Sequence, residues 1–173
     1  MAIDATFYGT LDEANDYFAK RLHEFAWSAA SMADREKALI AATRLIDDLN
    51  FKGYRAAVHA LSQSHPNATV AEIQAVEVTQ PHEFPRGADT VVPEAIRRAT
   101  YEIAHSLLDN KDPELELETL TVTSMGYGSV RTSYERNQVP IEHIVNLIPS
   151  ALAFKLLRPF LRDDDAVKLS RVS

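Results

Sequence analysis

The chain of 173 residues contains no cysteine, a single tryptophan and only five glycines. Without cysteine, disulfide bonds, thiol nucleophiles and thiolate metal sites are excluded. The longest apolar run, residues 148–157, is interrupted by Pro149, Ser150 and Lys155, so no segment is predicted to cross a bilayer. The first residues show neither a basic region nor an apolar core, and no signal peptide is expected. We therefore expect a protein that is cytosolic or is assembled in the cytosol.

Motifs of catalytic centres are also missing. The sequence contains no Gly-x-Ser-x-Gly element, no His-Glu-x-x-His element, no P-loop and no EF-hand loop. Asp47 and Asp48 are adjacent, so on a helix their carboxylates point apart and do not share a proton. His59, His65 and His82 lie 6 and 17 residues apart, which is a poor spacing for metal ligands. We predict no enzymatic activity, no cofactor and no metal site.

Charge is distributed unevenly along the chain, whose net charge is −7. Residues 1–125 carry 11 Lys and Arg against 20 Asp and Glu, and residues 126–173 carry 7 against 5. An acidic body repels the phosphate backbone, which disfavours a free-standing DNA-binding protein. The weakly basic tail could dock on an acidic partner, although ordinary surface variation explains the same charges.

Two amphipathic helices are predicted in the first fifty residues. Thr10 and Ser31 each precede a carboxylate by three residues, Glu13 and Asp34, which is the spacing of a capping box. Apolar residues then recur at intervals of three and four, as in a helix with one buried face. The two stripes, which we expect to form core, are Leu11, Ala14, Phe18, Leu22 and Phe25, and Ala38, Leu39, Ala42, Leu45, Ile46 and Leu49.

A two-proline loop, residues 80–87, leads into a further helix that begins at Pro93. Proline suits the first turn because it needs no N–H partner there and its φ is already helical. Arg97 and Arg98 are predicted to lie on the solvated side of this helix. Its buried stripe is predicted to consist of Ile96, Ala99, Ile103, Ala104, Leu107 and Leu108.

From Glu114 the pattern changes to strict alternation, which predicts a strand. A turn at residues 125–128 and a second strand at residues 129–134 complete a β-hairpin over about 114–136. Aromatic residues interleaved with basic ones could stack on single-stranded bases, although a mixed hairpin surface explains them equally. These residues are Tyr127, Arg131, Tyr134 and Arg136.

The end of the chain is predicted to be a helical segment, residues 139–162, followed by an extended arm, residues 163–173. The helical segment is apolar on more than one face, which indicates a second contact surface besides the core. Together these elements predict a mainly α fold, a small helical bundle with a β-hairpin and an extended C-terminal arm. Residues 1–162 form a single domain in this interpretation.

The order of several short motifs resembles that of the head–tail connector family of tailed bacteriophages, the adaptor or head-completion proteins. The likeness covers about residues 8–110; its helix motifs are Ala38-Leu39, Ala42-Thr43 and Ile46-Asp47, and later Val92-Pro93, Ile96 and Ala99. The motifs between them are a tyrosine-led "EAN" helix from Tyr8, Trp27, residues 51–53 and the Phe84-Pro85-Arg86 loop. This chain departs from the pattern by a longer segment at residues 54–79 and by His82-Glu83.

The resemblance implies a structural virion protein without enzymatic activity. Such an adaptor binds beneath the portal protein as a ring of about twelve subunits, provides a platform for tail or stopper proteins, and is assembled in the host cytoplasm. Double-stranded DNA passes through its channel without specific binding, and no membrane is involved. The family's docking segment corresponds here to Phe154, Leu157, Arg158 and Phe160, and its arm to Lys168, Leu169, Arg171 and Val172.

Two questions stay open at the level of sequence. Relatives are often labelled DnaT-like single-stranded-DNA-binding proteins, so binding of single-stranded DNA is the alternative function. The loop that carries Gln80, Phe84, Pro85 and Arg86 is interpreted as a structural clamp in which Phe84 fills the helical core. Arg86 either caps carbonyl groups of its own chain or contacts a neighbouring subunit.

Overall fold

The structure is a computed structural model that describes residues 6–121, 124–127, 130–133 and 141–162. This part of the chain is mainly helical, as predicted, and none of its helices is long and apolar enough to span a membrane. Its helices are α1 (Leu11–Phe18), α2 (Phe25–Ala29), α3 (Met32–Asp47), α4 (Ala56–Ser64), α5 (Val70–Glu77), α6 (Glu94–Leu108), α7 (Pro113–Thr121), α8 (Glu142–Val145) and α9 (Ala151–Leu157). A 3-10 turn (Arg158–Phe160) follows α9, and two strands, β1 (Ser124–Tyr127) and β2 (Val130–Ser133), lie between α7 and α8.

Helices α3 and α6 form the centre of the bundle, and α9 packs on α6. Helix α3 begins where predicted, because the Ser31 hydroxyl accepts a hydrogen bond from the Asp34 amide. Helix α6 begins directly after Pro93. Both helices pack the predicted stripes against the core, although Leu45, Leu49, Leu107 and Leu108 are only partly buried. The core residues of the three helices are Ala38, Leu39, Ala42, Ile46, Ile96, Ala99, Tyr101, Ile103, Ala104, Ala153, Phe154 and Leu157.

Helix α1 is shorter than the sequence predicts. It starts at the Thr10 cap, whose hydroxyl accepts from the Glu13 amide at 3.1 Å, and it ends at Phe18. Leu22 and Phe25 are exposed, so the prediction that they extend the buried stripe is wrong. The chain has already left the helix before Leu22, and His23 then adopts a left-handed φ of 59° ahead of α2, which begins at Phe25.

Helices α4 and α5 pack against each other. The capping box of α5 is complete: Thr69 accepts from the Glu72 amide and the Glu72 carboxylate accepts from the Thr69 amide. No residue of α5 is buried. The pair is tied to the two-proline loop by two backbone bonds, from Ala56 to Pro85 (3.0 Å) and from Gly87 to Tyr54 (2.9 Å).

The segment that begins at Glu114 is helical rather than extended, so the hairpin predicted over 114–136 is not supported. Asp112 Oδ1 accepts hydrogen bonds from the first amides of α7, and Pro113 occupies its first position. Glutamate and leucine are both strong helix formers, and five alternating residues are too few to override that preference. Within the described residues the short antiparallel pair of β1 and β2 is the only sheet, and residues 125–127 of the turn predicted at 125–128 lie inside β1.

The last described residues return to the end of α3. The Lys52 amide donates to the Phe160 carbonyl and the Arg162 amide donates to the Asn50 carbonyl, both at 2.9 Å. The arm, residues 163–173, lies outside the described residues, and the predicted boundary between domain and arm stays a prediction.

Candidate functional site

The two-proline loop packs into the core through Phe84, which is 3% exposed. Its ring meets Phe51, Phe160 and Tyr8 edge to face, with centroid distances of 4.8, 5.7 and 6.0 Å. The Phe84–Pro85 peptide bond is cis. Phe84 therefore occupies the position that the sequence predicted for it.

Asp47 anchors the same loop from α3. It accepts a hydrogen bond from the Tyr8 hydroxyl and one from the Glu83 amide at 3.1 Å, and its Oδ2 lies 2.7 Å from Nδ1 of His82. The Tyr8 oxygen in turn accepts from the Phe84 amide at 3.1 Å. Burial, together with the Asp47 carboxylate, raises the pKa of Tyr8 far above its usual range. The tyrosine thus stays a donor and is not poised for proton transfer.

Two arginines complete what we call the loop cluster, residues Tyr8, Asp47, Arg55, His82, Glu83 and Arg86. Glu83 accepts from both guanidiniums, including Nε of Arg55 at 3.0 Å. Arg86 also donates to two backbone carbonyls, Lys52 at 3.0 Å and Gly53 at 2.6 Å. These donors are used inside the chain, which favours the capping alternative for Arg86 over a contact with another subunit.

Gln80 and Pro85 have structural contacts of the same kind. The Gln80 amide nitrogen donates to the carbonyls of His82 and Pro85, at 3.0 and 2.8 Å, and its oxygen accepts from the Ala57 amide at 3.1 Å. The loop is thereby fixed to α4 on one side and to α3 on the other. It positions helices and offers no reactive group to a ligand.

The predicted docking residues near the end of the chain divide into two groups. Phe154 and Leu157 belong to the core, so they cannot meet a partner without unpacking it. Arg158 is exposed, and Phe160 is half-buried against Phe84. The arm residues and two of the hairpin residues lie outside the described residues: Lys168, Leu169, Arg171, Val172, Tyr134 and Arg136. Tyr127 and Arg131 lie on the paired strands β1 and β2.

The structure does not bring the three histidines together into a metal site. His82 belongs to the loop cluster, whereas His59 and His65 lie on α4 and at its end. Within residues 6–121 and the later described segments, no group of three or more His, Asp or Glu side chains could hold a metal ion.

A cleft of about 530 Å³ lies between α1 and α6, and it is the candidate binding site. Its two walls bring together four cationic side chains, two tyrosines and three carboxylates. The lining consists of Glu13, Asp16, Tyr17, Lys20, Arg21, Glu94, Arg97, Arg98 and Tyr101. We call it the α1–α6 cleft.

One pair of contacts ties α1 to the first half of α6. Glu13 accepts from Arg97 at 2.5 Å and from the Tyr101 hydroxyl at 3.0 Å, so each carboxylate oxygen has a donor. Gly9, with a φ of +85°, lets the chain pass against that hydroxyl where any Cβ would overlap it. Burial and the neighbouring Glu13 raise the pKa of Tyr101, which keeps its hydroxyl protonated.

A second, reciprocal set runs from α6 back to α1. Glu102, whose side chain is 2% exposed, accepts from the Tyr17 hydroxyl at 2.6 Å and from Arg21 at 2.8 Å. Burial, and then the Glu102 carboxylate, raise the pKa of Tyr17. Arg21 also lies 3.4 Å from Nε2 of His105, and burial followed by this guanidinium lowers the pKa of that histidine. The two sets neutralise Arg97 and Arg21.

The other two cations of the cleft keep their charge available to solvent. Arg98 lies with its guanidinium 5.7 Å above the Tyr17 ring, and its 3.8 Å approach to the exposed Glu94 is a weak ion pair. Lys20 is exposed and makes no ion pair within the part of the chain that the structure describes. Lys20 and Arg98 can therefore hold an anion, and within the described residues the carboxylates of the cleft do not form a group that could hold a metal ion.

Sequence reasoning missed this cleft. It placed Arg97 and Arg98 on a solvated face and assigned no role to Tyr17. A signal was present, because Glu13, Tyr17 and Arg21 recur at intervals of four and so share one face of a helical turn. Their partners lie more than eighty residues away, and the spacing within one helix could not show them.

Comparison with known proteins gives one match. A family model described as "Putative DnaT-like ssDNA binding protein" matches residues 2–172. The chain belongs to this family. No curated protein and no solved structure matches it. The match does not identify a head–tail connector, and that resemblance stays a prediction.

Proposed function

We propose that this member of the DnaT-like family binds single-stranded DNA in the α1–α6 cleft. Two observations support the proposal: the family match extends over nearly the whole chain, and the cleft presents the side chains of Lys20 and Arg98. Lysine and arginine contacts to phosphate supply most of the affinity for nucleic acid without sequence preference. The observation that carries the proposal is the presence of these two cations without a strong carboxylate partner.

The acidic body limits the affinity. The net charge of −7 repels a strand at a distance, and Asp16 and Glu94 lie at the cleft itself. We expect a dissociation constant on the order of 10⁻⁵ M, within the range of non-specific binding. With two phosphates neutralised, log K should fall against log salt with a slope of about −1.4.

Fluorescence anisotropy with a labelled oligothymidylate tests the proposal. The double variant Lys20→Gln/Arg98→Gln should weaken binding at low salt by about tenfold or more, because both phosphate contacts are lost. The matched control is Arg44→Gln/Lys111→Gln, which removes the same charge from exposed positions outside the cleft. Equal weakening by both double variants would mean that net charge, and not the cleft, governs binding.

A second proposed function is the structural one, a head-to-tail adaptor in the virion neck. It is favoured by the acidic body, which does not grip DNA that must slide through a channel, and by the order of the motifs in residues 8–110. Large apolar side chains are also exposed near the C-terminal helices, namely Ile141, Val145 and Leu152. In this role the chain is not an enzyme, and its partners are the portal protein, neighbouring subunits and tail or stopper proteins.

Two observations test the second function: a portal gene next to the gene for this chain, and co-purification of the two proteins. A ring beneath the portal, seen by electron microscopy, is expected for the full chain, and a truncation after Arg162 should abolish it. The double variant Lys20→Gln/Arg98→Gln should still form the ring, since its changes are in the cleft. Retention of portal binding after truncation would eliminate the arm as the docking segment.

A further inference from the structure

Both tyrosines of the α1–α6 cleft are already committed to contacts within the chain. Tyr101 is buried, and its hydroxyl donates to Glu13. The Tyr17 ring has the Arg98 guanidinium over one face, and the rings of Phe18 and Tyr101 lie at centroid distances of 5.2 and 5.7 Å. Among the described residues that line the cleft, both aromatic rings therefore already have ring or cation partners within the chain.

The cations differ from the tyrosines in this respect. The Arg98 side chain is 47% exposed, and Lys20 is exposed as well. Proteins that bind single strands usually combine a basic groove with aromatic platforms, and the bases then contribute strongly to affinity. In the α1–α6 cleft the two cations are accessible to a ligand, whereas the tyrosine rings are occupied by contacts within the chain.

We infer that the α1–α6 cleft recognises the phosphodiester backbone through Lys20 and Arg98 and leaves the bases in solvent. The inference rests on the proposed binding of single-stranded DNA and specifies its ligand chemistry, an extended chain of phosphodiesters whatever its bases. Binding is then independent of sequence and tolerates the removal of every base.

Glu13 limits the number of phosphates that the cleft can hold. Its ion pair with Arg97 keeps a third cation, which lines the same cleft, from reaching a phosphate. Replacing the carboxylate by an amide removes that competitor and a repulsive charge together. The cleft therefore gains a third phosphate contact when Glu13 is neutralised.

The test compares a labelled oligothymidylate with an abasic strand of the same length by fluorescence anisotropy. We expect dissociation constants within about twofold of each other and the same salt slope, about −1.4. Stacking on even one base would instead make the abasic strand roughly 5- to 150-fold weaker. That result would overturn the inference and leave the proposed function standing, whereas failure of both strands to bind would overturn both.

A variant pair supplies the second arm of the test. Glu13→Gln should tighten binding of both strands and steepen the salt slope to about −2.1, as expected for a third phosphate contact. Asp12→Asn is the matched control, because it removes the same charge from the neighbouring exposed position of α1, which does not line the cleft. An equal gain in affinity from both variants, with an unchanged salt slope, would show that removal of a negative charge alone strengthens binding. It would contradict the inference that a third phosphate is contacted.

Discussion

The loop cluster and the α1–α6 cleft are built from the same residue types, but the first uses its cations for contacts within the chain and the second leaves two of them exposed. Each contains at least one tyrosine that donates to a carboxylate and at least one arginine that pairs with a glutamate. In the loop cluster, Arg86 and Arg55 use their donors on carbonyls and on Glu83, and both side chains are mostly buried. In the cleft, Arg98 and Lys20 remain exposed. The comparison teaches that burial and the number of internal acceptors, and not residue type, separate a structural cluster from a binding site.

The largest expected effect concerns the core contact of the loop. Phe84→Ala should lower the free energy of unfolding by about 3–5 kcal/mol, because it removes a buried ring and leaves a cavity among Phe51, Phe160 and Tyr8. Urea denaturation measures the change. Phe25→Ala is the control, since that ring is 79% exposed and its loss should change stability by about 0.5 kcal/mol or less. Similar losses for both variants would refute the assignment of Phe84 as the core anchor.

The same substitution made in both regions tests the comparison directly. Glu83→Gln should cost about 2 kcal/mol, because two mostly buried guanidiniums lose their shared carboxylate. Glu13→Gln should cost about 1 kcal/mol or less, since its pair with Arg97 is about one-third exposed and is screened by solvent. Chemical denaturation at neutral pH checks both values. A larger loss for Glu13→Gln would reverse the ranking of the two regions.

Much of the fold could be predicted from the sequence, and the exceptions have physical causes. Helices α3 and α6 were predicted because caps and apolar stripes agree there, and both signals are local. The prediction of a strand from Glu114 was wrong because a short alternation of glutamate and leucine is also compatible with a helix. Leu22 and Phe25 were misplaced because α1 ends at Phe18 and α2 begins only at Phe25, so the apolar spacing runs across two separate helices.

The candidate site was harder to predict than the fold. The clamp role of Phe84 could be inferred from its position between two prolines. The α1–α6 cleft could not, because it exists only when Glu13 meets Arg97 and Glu102 meets Arg21 across the bundle. Periodicity identifies a helix face as polar but does not distinguish a solvated face from one that meets another polar face.

A smaller effect is expected from the pH dependence of His105, which lies beside Arg21. Burial and the nearby Arg21 lower the pKa of His105 in the folded state, so the unfolded chain binds the proton more readily. Stability should be unaffected well above the unfolded value of about 6.5, and it should fall as pH drops through that value toward the folded pKa. Unfolding free energies measured from pH 7 downward should show this loss. His105→Gln should flatten the profile in this window, and an unchanged profile would exclude His105 as its origin.

The smallest expected effect on stability is at the two cations that we assign to phosphate binding. Arg98→Gln should change the unfolding free energy by less than about 1 kcal/mol, because its ion pair is weak and its contact with Tyr17 is exposed. Lys20→Gln should change it by about 0.5 kcal/mol or less. Arg86→Gln is the counterpart in the loop cluster, and it should cost about 1–3 kcal/mol because the carbonyls of Lys52 and Gly53 lose their donor. Thermal denaturation of the three variants, compared with their affinities for DNA, distinguishes a structural arginine from one that binds a ligand. Replacing an arginine that stabilises the fold lowers the stability of the protein, whereas replacing one that binds a ligand lowers only the affinity for that ligand.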